Sequence, residues 1–255
     1  MTAGPVPLPP RQGGGRARRL LIGGTALLLV VVFVALGSWQ LQRRSWKLEL
    51  IARVTERVTA PPADIPPPSQ WKDVNAGRDE YRRVRIIGRF LNDRETFVQA
   101  TTELGAGFWV LTPMVRADGT TVLVNRGFVP PERRAQDNRE AAPPQGETTV
   151  TGLLRLSEPH GGFLRKNSPE ENRWHSRDVP AIAAARGLRN VAPFFIDAQW
   201  PDGQPRTAQW PVPGLTVLSF YNNHLAYAAT WFGLALMTAL AGWWLLRQER
   251  MPVQG

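Results

Sequence analysis

Leu20 to Trp39 and Leu225 to Leu246 are uncharged, apolar runs that bracket a charged middle block. Each has roughly 20 residues, the length a helix needs to cross the hydrocarbon core of a bilayer. A chain patterned this way is expected to be a two-span membrane protein with one extramembrane domain. The expected divisions are a disordered cytoplasmic tail over 1–19, a transmembrane helix over 20–39, a soluble domain over 40–224, a second transmembrane helix over 225–246 and a cytoplasmic tail over 247–255.

The first run has Arg16, Arg18 and Arg19 before it, as a signal peptide would. It is too long for a cleaved apolar core. It also ends in Trp39, Gln40 and Arg43 and not in small residues, so an uncleaved anchor is expected. Basic residues nearly balance across this span: Arg11, Arg16, Arg18 and Arg19 precede it, and Arg43, Arg44, Lys47, Arg53 and Arg57 follow it. The second span decides the orientation. Arg247 and Arg250 follow it, whereas Leu215 to His224 carries no Lys or Arg. By the positive-inside rule both termini face the cytoplasm and the long middle block lies outside.

The formal net charge is +10, yet the middle block has mixed charge. It shows no basic stripe interleaved with aromatics, so no nucleic-acid partner is expected. There is no cysteine. That excludes disulfides, thiolate copper sites, iron–sulfur clusters and covalent haem attachment.

After the first span the helical pattern continues through Leu50, Ile51, Val54 and Val58, and Pro61 and Pro62 end it. Val84, Ile86 and Phe90 alternate with Arg83, Arg85 and Arg89, with a break at Gly88. Residues 107–129 read as a β-hairpin about the two-residue turn Asp118-Gly119. Thr148 to Leu156 and Pro193 to Ala198 are further strands. One helix interrupts them, capped by Asp178, with Pro180 in its first turn and Gly187 at its end. Gln199 to Pro213 reads as a loop. The fold class expected is a membrane protein in which two transmembrane α-helices flank a mostly antiparallel β (α+β) domain.

Catalytic patterns are scarce. Gly105-Ala106-Gly107 has no helix after it and reads as a loop entering a strand. Neither Ser168 nor Ser176 lies in a nucleophile elbow. His160 and His175 have no helical partner and make a poor metal site. No enzyme activity is therefore expected.

His224 stands apart because it opens the second span in Asn222-Asn223-His224-Leu225-Ala226-Tyr227. Helical spacing puts His224, Tyr227 and Trp231 on one face. One reading is an interfacial histidine in an aromatic belt. The other is a ligand or proton group facing the helix bundle. Antiparallel spans bring Trp39, Gln40, Arg43 and Arg44 to the same depth as His224 and Tyr227. That combination suits a flat, lipophilic, anionic cofactor: imidazole can ligate iron, rings can flank a macrocycle and guanidinium groups can pair with propionates. Arg43 and Arg44 can also simply contact lipid headgroups.

Several segments together resemble the surfeit-locus family of cytochrome c oxidase assembly proteins. They are Gly37-Ser38-Trp39-Gln40-Leu41-Gln42-Arg43, Tyr81 to Phe90, Gly107 to Pro113, Val122 to Pro130, Pro193 to Asp197, and Asn222-Asn223-His224-Leu225 with Tyr227, Ala228 and Thr230-Trp231-Phe232. The resemblance implies an assembly factor for haem–copper cytochrome c oxidase, not an enzyme. Such a factor binds haem a transiently and non-covalently and assists its delivery to the catalytic subunit. His224 would be the haem-iron ligand, with Tyr227, Trp231, Trp39, Gln40, Arg43 and Arg44 around the cofactor. The partners implied are the oxidase catalytic subunit, the enzymes of haem a synthesis and membrane lipid. The location implied is a bacterial cell membrane, or the inner mitochondrial membrane in a eukaryote. A cofactor-free scaffold that holds an oxidase assembly intermediate is the alternative.

Overall fold

The structure, a computed structural model, describes residues 14–140, 142–162, 165–200, 203, 209–215 and 222–248. Residues 1–13 of the tail expected over 1–19, residues 249–255 and parts of the 199–213 loop lie outside these, and residues 14–19 are helical. The chain divides into two compact units: α1 as far as Ile51 together with α4, and Ala52–Leu218.

In the first unit, α1 (Gly14–Thr59) is one uninterrupted helix of 46 residues, and α4 (His224–Gln248) has 25. Both are long and apolar enough to cross a membrane. The helix of the first apolar run thus starts at Gly14 and continues well past Trp39, until Pro61 and Pro62 remove backbone donors.

Among the less exposed positions of α1 are Gly23, Ala26, Val30, Phe33, Gly37, Gln40 and Arg44, and among those of α4 are His224, Ala228, Trp231, Ala235, Thr238, Gly242 and Leu246. Both series step by threes and fours, the pattern of a left-handed coiled-coil seam. Small residues recur on α4 at Ala228, Ala235 and Gly242, all buried. A Cβ on Gly242 would lie 2.8 Å from the Cβ of Ala26, and one on Gly37 2.7 Å from the ring of Phe232. Small residues let the two backbones approach closely, as membrane helix pairs require.

The second unit is a seven-stranded sheet. In chain order its strands are β1 (Ala63–Asp64), β2 (Arg83–Phe90), β3 (Thr96–Thr102), β4 (Gly105–Val115), β5 (Thr121–Val129), β6 (Glu147–Leu156) and β7 (Val191–Ala198). The strand order is β1-β2-β6-β7-β5-β4-β3, and an additional β2–β4 pairing closes β2, β6, β7, β5 and β4 into a barrel. A short helix, α2 (Ala76–Asp79), precedes β2, and α3 (Val179–Ala185) packs beside β7.

Two cores lie on opposite faces of the same strands. Val84, Ile86, Phe90, Met114, Val122, Val124, Leu154, Phe194 and Ile196 form one. Leu111, Leu123 and Phe195 pack with Trp174, Val179 and Ile182 in the other. This is why β5 reads as a continuous apolar run: both of its faces are buried.

The α3 cap is as expected, with the Asp178 carboxylate accepting from the Ala181 amide at 3.2 Å and Gly187 at φ +61° just past the end. Two expectations need correction. Gly88 does not break the alternation of β2: it is buried in register with Val84, Ile86 and Phe90. A Cβ there would come within 2.5 Å of the Val115 carbonyl, and this is where Arg89 and Phe90 pair with Val115 and Met114 to close the barrel. The β4–β5 loop is longer than two residues. Arg116 donates to the Thr120 carbonyl at 2.9 Å, and Gly119 takes φ +75°, the geometry of a three-residue hairpin loop. The sheet is mostly antiparallel, but β1–β2 and β5–β7 are parallel. The polar strand β3 and the two-residue β1 were not foreseen.

Candidate functional site in the helix pair

His224 is the first residue of α4 and occupies a seam position facing α1. Its Nδ1 lies 2.8 Å from the side-chain carbonyl Oε1 of Gln40. A carbonyl oxygen only accepts hydrogen bonds, so this contact calls for the tautomer that donates from Nδ1, in which the lone pair lies on Nε2. Beside it, the Oδ1 of Asn222 is buried and has no hydrogen-bond partner among the described residues.

The other expected site residues separate into groups. Trp231 stacks on Phe33 across the seam, with centroids 5.8 Å apart and planes at 26°. It therefore packs helix on helix. Tyr227 is largely exposed. Arg43 lies over the rings of both Trp39 (5.8 Å) and Trp46 (5.4 Å), and both tryptophans are exposed. Arg44, one turn beyond Gln40, is half-buried on the seam face. Thus Gln40 and His224 are brought together, Arg44 continues their row, and Arg43 with Trp39 and Trp46 forms a ladder along α1. The ladder was not foreseen beyond its first two members. Asn222 was quoted in the sequence without a role. The seven-residue recurrence of small residues was the signal that could have found the seam.

Whether these groups fit a haem can be tested on the donor set. An imidazole whose Nδ1 is already engaged offers one nitrogen to a metal, the usual state of a metal-bound histidine. Asn222 supplies an orphaned acceptor, and Arg43 and Arg44 supply cations for carboxylates. The donor set fits.

The barrel unit carries charge of another kind. Asp197, 2% exposed, accepts from Arg155 (3.1 Å), Arg177 (3.1 Å) and Asn125 (2.8 Å). Arg155 also reaches Glu80 at 3.3 Å, and Arg177 reaches Glu158 at 2.5 Å. Arg177 lies over Phe195, and Arg155 over Tyr81. On the row that continues Val122 and Val124, Arg126 shares buried Glu95 with Arg139. Burial, followed by the neighbouring Arg139, pushes the Arg126 guanidinium down despite Glu95. Neither cluster is legible in the sequence, because their members are far apart along the chain.

Glu158 is desolvated, which pushes its carboxyl up. Hydrogen bonds and charge from Arg177 more than offset this and hold it below the ordinary value of 4.5. A carboxylate with a depressed folded pKa adds stability that is present above its unfolded value and is lost as pH falls through the folded one. Acidification from pH 7 should therefore leave this contribution intact to about pH 5 and remove it below. Circular dichroism melts of the detergent-solubilised chain should show a smaller acid-induced drop for Glu158→Gln. Equal drops would remove Glu158 from the account.

His175 lines an open groove of about 420 Å³ with Gln99, Phe108 and Arg165. Trp174 is core. Gly105-Ala106-Gly107 is the start of β4, which agrees with the strand-entry reading. Among the described residues no three His, Asp or Glu side chains cluster as a metal site.

A chain with two long apolar helices, a histidine locked in their seam and a closed β-barrel defines the class. The model of the SURF1 family matches residues 27–236. Surfeit locus protein 1 of Homo sapiens is 36% identical over 227 residues, covering 82% of this chain and 72% of its own. The protein of that name from Gallus gallus is 34% identical over 236 residues, 86% of this chain and 72% of its own. A SURF1-like protein of Monosiga brevicollis is 34% identical over 231 residues, 86% of this chain and 85% of its own. The chain belongs to the SURF1 family.

Proposed function

We propose that this chain is a membrane-anchored assembly factor for a haem–copper cytochrome c oxidase, and that it holds haem a at His224 for delivery to the catalytic subunit. Membership of the SURF1 family supports the assembly role, through the family resemblance described above. The observation that carries the haem reading is the Gln40–His224 pair, which leaves Nε2 available at the mouth of a span. Haem, when bound, would supply an iron that such a nitrogen can ligate. His224 would hold the iron, Gln40 would orient the imidazole, and Arg43 and Arg44 would pair with propionates. The role is holding and handing over, with no turnover, and the enzymes of haem a synthesis are the upstream partners.

Membrane insertion is supported by the outward faces of the helices. Leu20, Leu27 and Leu28 of α1 and Leu236, Met237, Leu240 and Trp243 of α4 are exposed. So large an apolar surface is stable in lipid and not in water. Arg247, stacked on Trp243 in the last turn of α4, supports an orientation with both termini inside and the barrel outside. A reporter fused after Gly255 that is active only outside the cytoplasm overturns this orientation.

His224→Ala in the detergent-purified chain, made in cells that synthesise haem a, should lose or strongly alter the haem spectrum while still inserting. An unaltered spectrum sinks the ligand assignment. A second reading has its own support, since a buried polar pair in a helix seam can serve solely to set register. In that case the chain is a cofactor-free scaffold, and the wild-type protein carries no haem in the same preparation.

A further inference from the structure

We infer that Gln40 is a positioning residue: its side-chain carbonyl takes the Nδ1 proton of His224 and so presents an unprotonated Nε2 to haem iron. The inference rests on the haem reading above. Its basis is the 2.8 Å contact together with the donor chemistry of the two groups. A neutral imidazole carries one N–H, and an amide oxygen can only receive it. The proton is thereby confined to Nδ1, and rotation of the ring about its bond to Cβ is blocked.

The seam makes this contact possible. Gly37, one turn before Gln40, has no side chain to hold α4 away, and the ring of Phe232 lies where its Cβ would be. Two turns before Gln40, Phe33 stacks on Trp231 and fixes the helices in register. Gln40 and His224 then face each other with their backbones already held. Such a hydrogen bond strengthens in a low dielectric, and it makes the ring a better electron donor to a metal on its other nitrogen. Leucine at position 40 would keep the seam apolar and remove the acceptor. Glutamate would strengthen the acceptor.

The test uses the full chain in detergent micelles. With only three histidines in the chain, ¹⁵N-histidine labelling resolves each ring, and ¹⁵N shifts above the titration range of imidazole report the tautomer. The wild-type His224 should appear as the Nδ1–H form before any haem is added, and Gln40→Leu should shift it to a mixture. Haemin titrated into the same preparations should bind about 10–100-fold more weakly to Gln40→Leu. Gln40→Glu should retain haemin with a lower midpoint potential and a stiffer iron–imidazole stretch.

An Nε2–H tautomer in the wild type overturns the inference even if no variant accumulates. So does a Gln40→Leu protein with unchanged tautomer, affinity and stretch, and in that case the pair sets register alone. A His224→Ala protein that keeps its haem spectrum overturns the haem reading instead, and this inference falls with it.

Discussion

Replacing Asp197 by Ala is expected to cost the barrel unit about 3–5 kcal/mol of unfolding free energy. The carboxylate is 2% exposed and accepts from Arg155, Arg177 and Asn125. Burial lowers the Arg177 guanidinium, and the charge of Asp197 is the largest of the effects that outweigh this and raise it. Without Asp197 two guanidinium groups, each 13% exposed, keep only Glu158 and Glu80 as acidic partners. Arg177 lies over Phe195, which is core beside α3, and Arg155 lies over Tyr81. Asn125 loses an acceptor as well, and the same side chain receives the Gly127 amide at 3.1 Å. Urea unfolding of the solubilised chain, followed by tryptophan fluorescence, measures the loss. Asp197→Asn, which keeps shape and one acceptor, should lie between wild type and Asp197→Ala. A loss below about 1 kcal/mol would mean that the network is solvated and contributes little.

Gly127→Val should be at least as damaging, on the order of 4 kcal/mol or more, the range that marks a steric failure in a core. Gly127 takes φ +131°, which an L side chain rarely adopts. Any Cβ there would also strike the backbone carbonyl of Val212. That carbonyl accepts from the Phe128 amide at 3.0 Å, and Val212 donates back to Phe128 at 2.9 Å. A side chain at 127 therefore costs backbone strain and the bridge together. The expected result is a sharp fall in folded yield, with the Gln40–His224 contact of the helix pair retained in whatever protein survives. Normal accumulation of Gly127→Val with failed oxidase assembly would place the residue on a partner surface instead.

The sequence was legible wherever a local rule decides the outcome. The apolar length of Leu20–Trp39 and Leu225–Leu246 marks two helices able to span a membrane. Asp178, Pro180 and Gly187 bound α3 because caps and breakers act within one turn. The hairpin 107–129 follows from two apolar runs about Asp118-Gly119. His224 stood out for a similar reason, as one ionisable ring beside an uncharged run.

Tertiary structure decided the rest, because the determinants are contacts between residues far apart in the chain. Barrel closure depends on β2 meeting β4 at Gly88, where the absence of a side chain looks like an interruption until the Val115 carbonyl is seen against it. The parallel β5–β7 pair puts Asn125 opposite Asp197 across 72 residues of sequence. The buried charge around it cannot be read from a pattern whose members are dispersed among three strands and two loops. In the helix pair, spacing alone placed His224, Tyr227 and Trp231 on one face. Only the packing separates the histidine that meets Gln40 from the tryptophan that meets Phe33 and the tyrosine left exposed. Periodicity says which residues share a side of a helix; which of them touch depends on how close the small residues let the second helix come.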